Sequence, residues 1–208
     1  MNMANEVLEI TEFTRIYLAI FYSAVAAFYT VRIILMKRSN AGEIIFPGKR
    51  FCSTWWNHIS FRFFRATIWL VCLCRLFLPA VDNYLGIVES LQMKAVILTG
   101  IVLLTLGFIS TIMIHYKLGK QWRSGIDPNG PSELVSNGWY RYSRNPMFVC
   151  VAIAQFGFFL AMPSLFSLVC LMIGLYTLNS QALAEEKHLF ILYPREYKDY
   201  CSHVRRWI

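Results

Sequence analysis

Charge is what this sequence has least of. Asp, Glu, Lys and Arg make up 15% of its 208 residues, against roughly a quarter in an ordinary soluble domain, which excludes a water-solvated globule. No CxxC pair occurs among Cys52, Cys72, Cys74, Cys150, Cys170 and Cys201. Four of these lie in apolar runs, where cysteine packs as a small hydrophobe, so neither a metal site nor a disulfide framework is expected. No glycine-rich loop follows a strand pattern, which removes Rossmann-type cofactor binding. The first fifteen residues place Glu6, Glu9 and Glu12 before the first arginine. That is not the positive n-region of a cleavable signal peptide, so the first apolar stretch is expected to stay as a helix. The net charge of +8 does not point to nucleic acid, because the basic residues fall in blocks between apolar stretches, as they do where anionic lipid headgroups are met.

What is present is largely apolar, 57% of residues by count. The stretch 16–36 is apolar apart from Arg32 and is long enough for the roughly 30 Å hydrocarbon core, with Arg32 near enough to one end to snorkel. A second span, 63–81, carries Arg75 and borrows length from Phe63 and Phe64. Ala95 to Ile114 holds no charge and is the clearest span. Met147 to Ala184 is also uncharged, but as one helix it would run about 57 Å and must double back. Pro163 and Ser164 lie near its middle, so the turn of a helical hairpin belongs there. The expected fold is therefore an all-α integral membrane protein of about five transmembrane helices in a single domain, 1–208, with its core at 95–208.

Sixteen of the twenty Lys and Arg residues fall after spans one and three and in the tail, with Arg15 and Lys94 on the other side. The positive-inside rule then puts the N-terminus outside and the tail in the cytoplasm. In the tail, Leu189, Tyr193, Tyr197, Tyr200 and Val204 recur at three- and four-residue spacing opposite Arg195, Lys198 and Arg205, the pattern of an amphipathic helix at headgroup level. Trp55 and Trp56 read as part of an interfacial aromatic belt.

Two polar clusters flank the hairpin. Asn145 and Pro146 read as N-cap and first residue of the fourth helix, whose dipole welcomes an anion, and Arg144 adds a planar cation beside it. Glu185 and Glu186 lie thirty-nine and forty residues after Pro146, so an antiparallel hairpin returns them to the same membrane face. Anion and cation sites side by side suit a zwitterionic ligand. Glu185 with His188 forms a single ExxH step, whereas a di-iron bundle needs two, so no metal is expected. His58, His115 and His203 are scattered and receive no role.

At these residues the chain resembles the isoprenylcysteine carboxyl methyltransferase family and its phospholipid methyltransferase relatives. The shared pattern is Leu118-Gly119 with Trp122, Leu134-Val135, Gly138 with Tyr140, Arg144 to Phe148, an apolar hairpin, Glu185-Glu186, Leu189, and Tyr197 with Tyr200 and Arg205. The resemblance implies S-adenosylmethionine as cofactor, contacted by Leu134, Val135, Gly138, Tyr140, Asn145, Pro146 and Glu185, with Arg144 and Glu186 as the catalytic pair. It implies a hydrophobic or lipid-linked methyl acceptor entering from the bilayer, with carboxyl O-methylation of a prenylcysteine-like substrate as the leading reaction. Asn145 and Phe148 stand where the family commonly has His and Tyr. Phospholipid or small-molecule N- or S-methylation, a nicotinamide-dependent reductase of the sterol-reductase kind and a non-catalytic adaptor are the alternatives. The expected location is the bacterial inner membrane or, in a eukaryote, the endoplasmic reticulum, with the site facing the cytoplasm.

Overall fold

The computed structural model describes residues 3–39 and 43–208. It holds five long helices, α1 (Met3–Ser39), α2 (Ser53–Phe77), α3 (Lys94–Leu118), α4 (Pro146–Ala161) and α5 (Leu165–Leu192), followed by a short α6 (Pro194–His203). Strand structure among the described residues is confined to a two-residue parallel pair, β1 (Ile45–Phe46) with β2 (Ser124–Gly125), and one isolated bridge. The protein is thus an almost entirely α-helical integral membrane protein. Asn5–Ser39, Lys94–Gln121 and Leu165–Leu192 are each long and apolar enough to cross a bilayer. α2 carries Arg62, Arg65 and Arg75, and the 16 residues of α4 rise only about 24 Å. Exposed apolar side chains such as Ile16, Ile20, Val102, Leu106 and Met172 mark the lipid-facing surface, since lipid solvates such groups and water does not.

The inward faces meet in a core of Leu18, Cys72, Leu85, Leu104, Phe158, Ala161 and Met162. α3 and α4 approach most closely along a seam of small residues. A Cβ placed on Gly107 would lie 2.7 Å from the Ala154 nitrogen, and one on Gly157 would lie 2.7 Å from the Gly100 carbonyl oxygen. Such seams serve membrane helices because lipid offers no hydrophobic drive for association, leaving close backbone packing to supply it.

The hairpin turns where expected, between Ala161 and Leu165. Ser164 caps α5, accepting from the Ser167 amide at 3.2 Å while the Ser167 hydroxyl accepts from the Ser164 amide at 3.2 Å, a reciprocal box that satisfies the donors freed at the turn. The segment before α3 clamps this turn. Val88 N–H donates to Pro163 O at 2.9 Å, Leu165 N–H to Gly86 O at 2.8 Å and Phe166 N–H to Leu85 O at 3.1 Å.

Three expectations need correction. The second span begins at Ser53 and ends at Phe77 rather than running 63–81. Pro79 restricts Leu78 and starts a separate 3-10 turn, which ends the helix early. Arg32 does not snorkel alone: its Nη2 donates to the carbonyls of His115 at 3.2 Å and Gly119 at 3.0 Å, closing the C-terminus of α3. The tail stripe spans two helices. Leu189 belongs to α5, and Pro194 opens α6, whose Tyr197 is 1% exposed and faces protein rather than lipid.

At the opposite membrane face from the hairpin's open end, Arg75 gains a role. Its guanidinium pairs with Asp82, which also accepts from Arg15 Nη2 at 2.7 Å and Nε at 3.0 Å. Burial alone would raise the Asp82 carboxyl, but the hydrogen bonds and charges of Arg75 and then Arg15 hold it below the usual carboxylate range.

Candidate active site

The doubled-back chain brings the start of α4 against the end of α5. Arg144 Nη1 lies 3.5 Å from Glu186 Oε2, and Asn145 Nδ2 donates to Glu186 Oε1 at 2.9 Å. Asn145 occupies the N-cap position of α4, but its side chain does not cap the helix. The amide is claimed instead by Glu186 and by the Arg206 carbonyl at 3.3 Å, a charge-assisted bond outcompeting a neutral one.

The last residues close over this pair. Arg206 Nε donates to Glu186 Oε1 at 3.0 Å, Arg144 N–H to Arg205 O at 2.9 Å and the Ser143 hydroxyl to Arg206 O at 3.2 Å. Tyr200 donates to Tyr140 O at 2.5 Å, fastening α6 to the turn before α4. The 119–145 loop is held by α5 in the same way, with His188 Nε2 paired to Gly130 O at 2.9 Å and Tyr193 donating to Pro131 O at 2.6 Å. Arg144 Nη1 also reaches Cys201 Sγ at 2.6 Å, while Arg144 Nε is buried without a partner. Burial weakens that cation, yet Cys201 and Glu186 outweigh it and hold Arg144 above its ordinary value. Burial raises the phenols of Tyr140 and Tyr197, and pushes Tyr200 up to about 12. All three therefore remain neutral donors near neutral pH.

A cavity of about 780 Å³ opens beside the pair, toward the upper end of the roughly 300–1,000 Å³ usual for small-molecule sites. Its polar end is walled by Tyr140, Arg144, Glu185 and Tyr200, and it continues inward among the helices to Tyr22 of α1, Leu104 of α3 and Phe158 of α4. Of the residues expected in the site, Arg144, Glu186, Leu134, Val135, Tyr140, Asn145 and Glu185 line this one cavity. Gly138 and Pro146 are not on its wall. Gly138, at φ +63, opens the 3-10 turn Gly138–Arg141 and has the Lys117 side chain where a Cβ would go, and Pro146 is the buried first residue of α4. Both act on backbone course, shaping the loop that carries Tyr140 and Arg144.

Sequence reading passed over several wall residues. Gln181 donates to Glu185 Oε1 at 3.0 Å, and His115, 1% exposed, faces Trp122 at 4.5 Å between ring centres. A lone histidine in an apolar helix carries no periodic signal, and Arg206 follows the last helix, where no pattern fixes a partner.

The wall sets acidic, apolar and hydrogen-bonding groups side by side: Glu185 at its polar end, Leu134 and Val135 as apolar surface, and the Tyr197 hydroxyl buried without a partner. No curated protein and no solved structure gives a significant match to the chain. Residues 95–196, which carry α3, the loop, the hairpin and the start of α6, match the family model described as phospholipid methyltransferase.

Proposed function

We propose that the protein is an S-adenosylmethionine-dependent methyltransferase for an acceptor with an apolar tail, its leading reaction being O-methylation of a prenylcysteine-like carboxylate. The observation that carries this reading is the single cavity joining the Arg144–Glu186 pair to the membrane-depth interior of the helices. One end suits a soluble, charged cofactor and the other an acyl or prenyl chain.

Leu134, Val135, Tyr140, Asn145 and Glu185 would hold the cofactor, with Gly138 and Pro146 setting the loop around it. When bound, it supplies a methyl group already activated by positive sulfur. The chain's task is then to hold a nucleophile in line and exclude water. Arg144 Nε, buried and unpartnered, would take one oxygen of the acceptor carboxylate, while Glu186 fixes the guanidinium plane through Nη1. A carboxylate is a nucleophile without losing a proton, so no general base is required. α6 and the strap at Arg205 and Arg206 cover the pair from water.

A second reading, N-methylation of a phospholipid amine, is favoured by the family match. It requires a base, and Glu185, whose only side-chain partner among the described residues is Gln181, would serve. The excess of Lys and Arg on the site's side supports a cytoplasmic orientation, in a bacterial inner membrane or the endoplasmic reticulum.

Transfer of labelled methyl from S-adenosylmethionine by purified protein, offered farnesylcysteine or phosphatidylethanolamine in separate assays, tests both readings. Label in the base-labile ester of farnesylcysteine supports the first, and label in the phospholipid supports the second. Arg144→Ala is expected to lose at least about 100-fold in transfer to the carboxylate. Absence of S-adenosylhomocysteine binding by the intact protein overturns the assignment.

A further inference from the structure

One polar side chain in the membrane-depth half of the cavity is unexplained by methyl transfer. Gln155 lies on α4 ten residues beyond Asn145, about 15 Å from the Arg144–Glu186 end at the rise of an α-helix. It lines the cavity, and its Oε1 is buried with no hydrogen-bond partner. The facing wall is Gly174 of α5, where even a Cβ would crowd the Gln155 amide. Gly174 stands twelve residues before Glu186, about 18 Å by the same rise, so both helices give a consistent depth.

A side-chain amide in this position is costly, because hydrocarbon supplies no partner for it. A leucine would fill the space without that cost. The glycine opposite leaves the space that the amide itself fills, so the amide lies against α5, and the remaining surroundings at this level, Tyr22, Phe158 and Cys170, form an otherwise largely apolar sleeve. The pocket is therefore built to receive a long apolar body with one hydrogen-bonding group part-way along it.

We infer that Gln155 is a specificity-determining residue that selects acceptors carrying a hydroxyl about 15 Å from the group that is methylated. A hydroxyl both donates and accepts, so it pairs with whichever end of the amide is turned to it. The inference rests on the methyltransferase reading for the identity of the reacting end, but the preference itself is a property of binding.

The test compares octadecanoate with 12-hydroxyoctadecanoate, whose hydroxyl lies about 14 Å from the carboxylate in an extended chain of carbon–carbon bonds near 1.5 Å. Each competes for the intact protein in nanodiscs against radiolabelled octadecanoate. The wild-type protein is expected to bind the hydroxylated chain about tenfold more tightly, the worth of one well-placed hydrogen bond. Gln155→Met, which keeps length, and Gly174→Ala, which crowds the amide, are both expected to bring the ratio within about twofold. A wild-type ratio near or below one overturns the inference, as does a ratio unchanged in both variants. Because methyl transfer is not read, a protein that keeps the preference without methylating anything sinks only the earlier reading, and methylation without the preference sinks only this one.

Discussion

Replacing Asp82 is the sharpest test of how the helices are fastened at the face away from the site. The Arg75 side chain is 2% exposed, Asp82 13% and Arg15 17%, so this carboxylate balances a cation that cannot reach water. Asp82→Ala would strand the Arg75 charge, a loss of roughly 3–5 kcal/mol for a broken buried pair. The C-terminal dipole of α2, beside which Arg75 sits, acts equally in both proteins and offsets none of this, so the loss is at least about 3 kcal/mol. For a chain of this size that corresponds to a fall in Tm of about 6–12 °C, read by thermal unfolding of the purified protein in detergent. Replacing the whole triad, Arg15→Met with Arg75→Met and Asp82→Leu, should recover much of the loss, because an apolar cluster requires no compensation. The sign of the pH dependence follows from the depressed Asp82 carboxyl. Its contribution is complete above the unfolded value, about pH 4, and is lost as pH falls through the lower folded value. An Asp82→Ala protein whose Tm drops by less than about 2 °C would refute the reasoning, since the charge would then have found water or another partner.

The α3–α4 seam gives a second prediction. Gly157→Leu meets backbone of α3 rather than a movable side chain, so it should exceed the roughly 1–3 kcal/mol of ordinary overpacking and be seen as lost monodisperse protein on gel filtration. Ending the chain at Val204 removes the contacts of Arg205 and Arg206 with Ser143, Arg144, Asn145 and Glu186. S-adenosylhomocysteine affinity, measured by calorimetry, is expected to fall at least about tenfold, the equivalent of a single lost hydrogen bond to a charged group. Tyr200→Phe deletes the bond to Tyr140 O and should cost about 1 kcal/mol in thermal stability. Burial pushes the wild-type phenol up to about 12, so that loss should stay level from pH 6 to pH 9.

The helices were legible because span length and the distance between Met147 and Ala184 leave few options, and Pro163 marks where the chain must reverse. The meeting of Arg144 with Glu186 followed from that reversal. What escaped was set by contacts between distant segments. Asn145 looked like a cap because local sequence knows nothing of Glu186 forty-one residues later. Arg75 looked like an awkward charge in a span because its partner, Asp82, lies beyond the break at Pro79. The seam of Gly100, Gly107 and Gly157 carries no hydrophobic period, and only the approach of two backbones reveals why glycine is there. Gln155 was invisible in an uncharged run, since its meaning depends on the glycine that faces it from α5 and on the cavity it lines.

The bonds from residues 85–88 to the hairpin turn have a mechanical consequence. They make the turn a fixed pivot, while the cavity lies beside the two arms short of the Asn145–Glu186 bond that joins their other ends. α4 and α5 are then a pair of tongs, hinged deep in one leaflet and gripping at the other. A lipid substrate would slip sideways between the jaws, whose tips are fastened by the bonds of Arg144 and Asn145 to Glu186 and by the strap, and leave by the same gap.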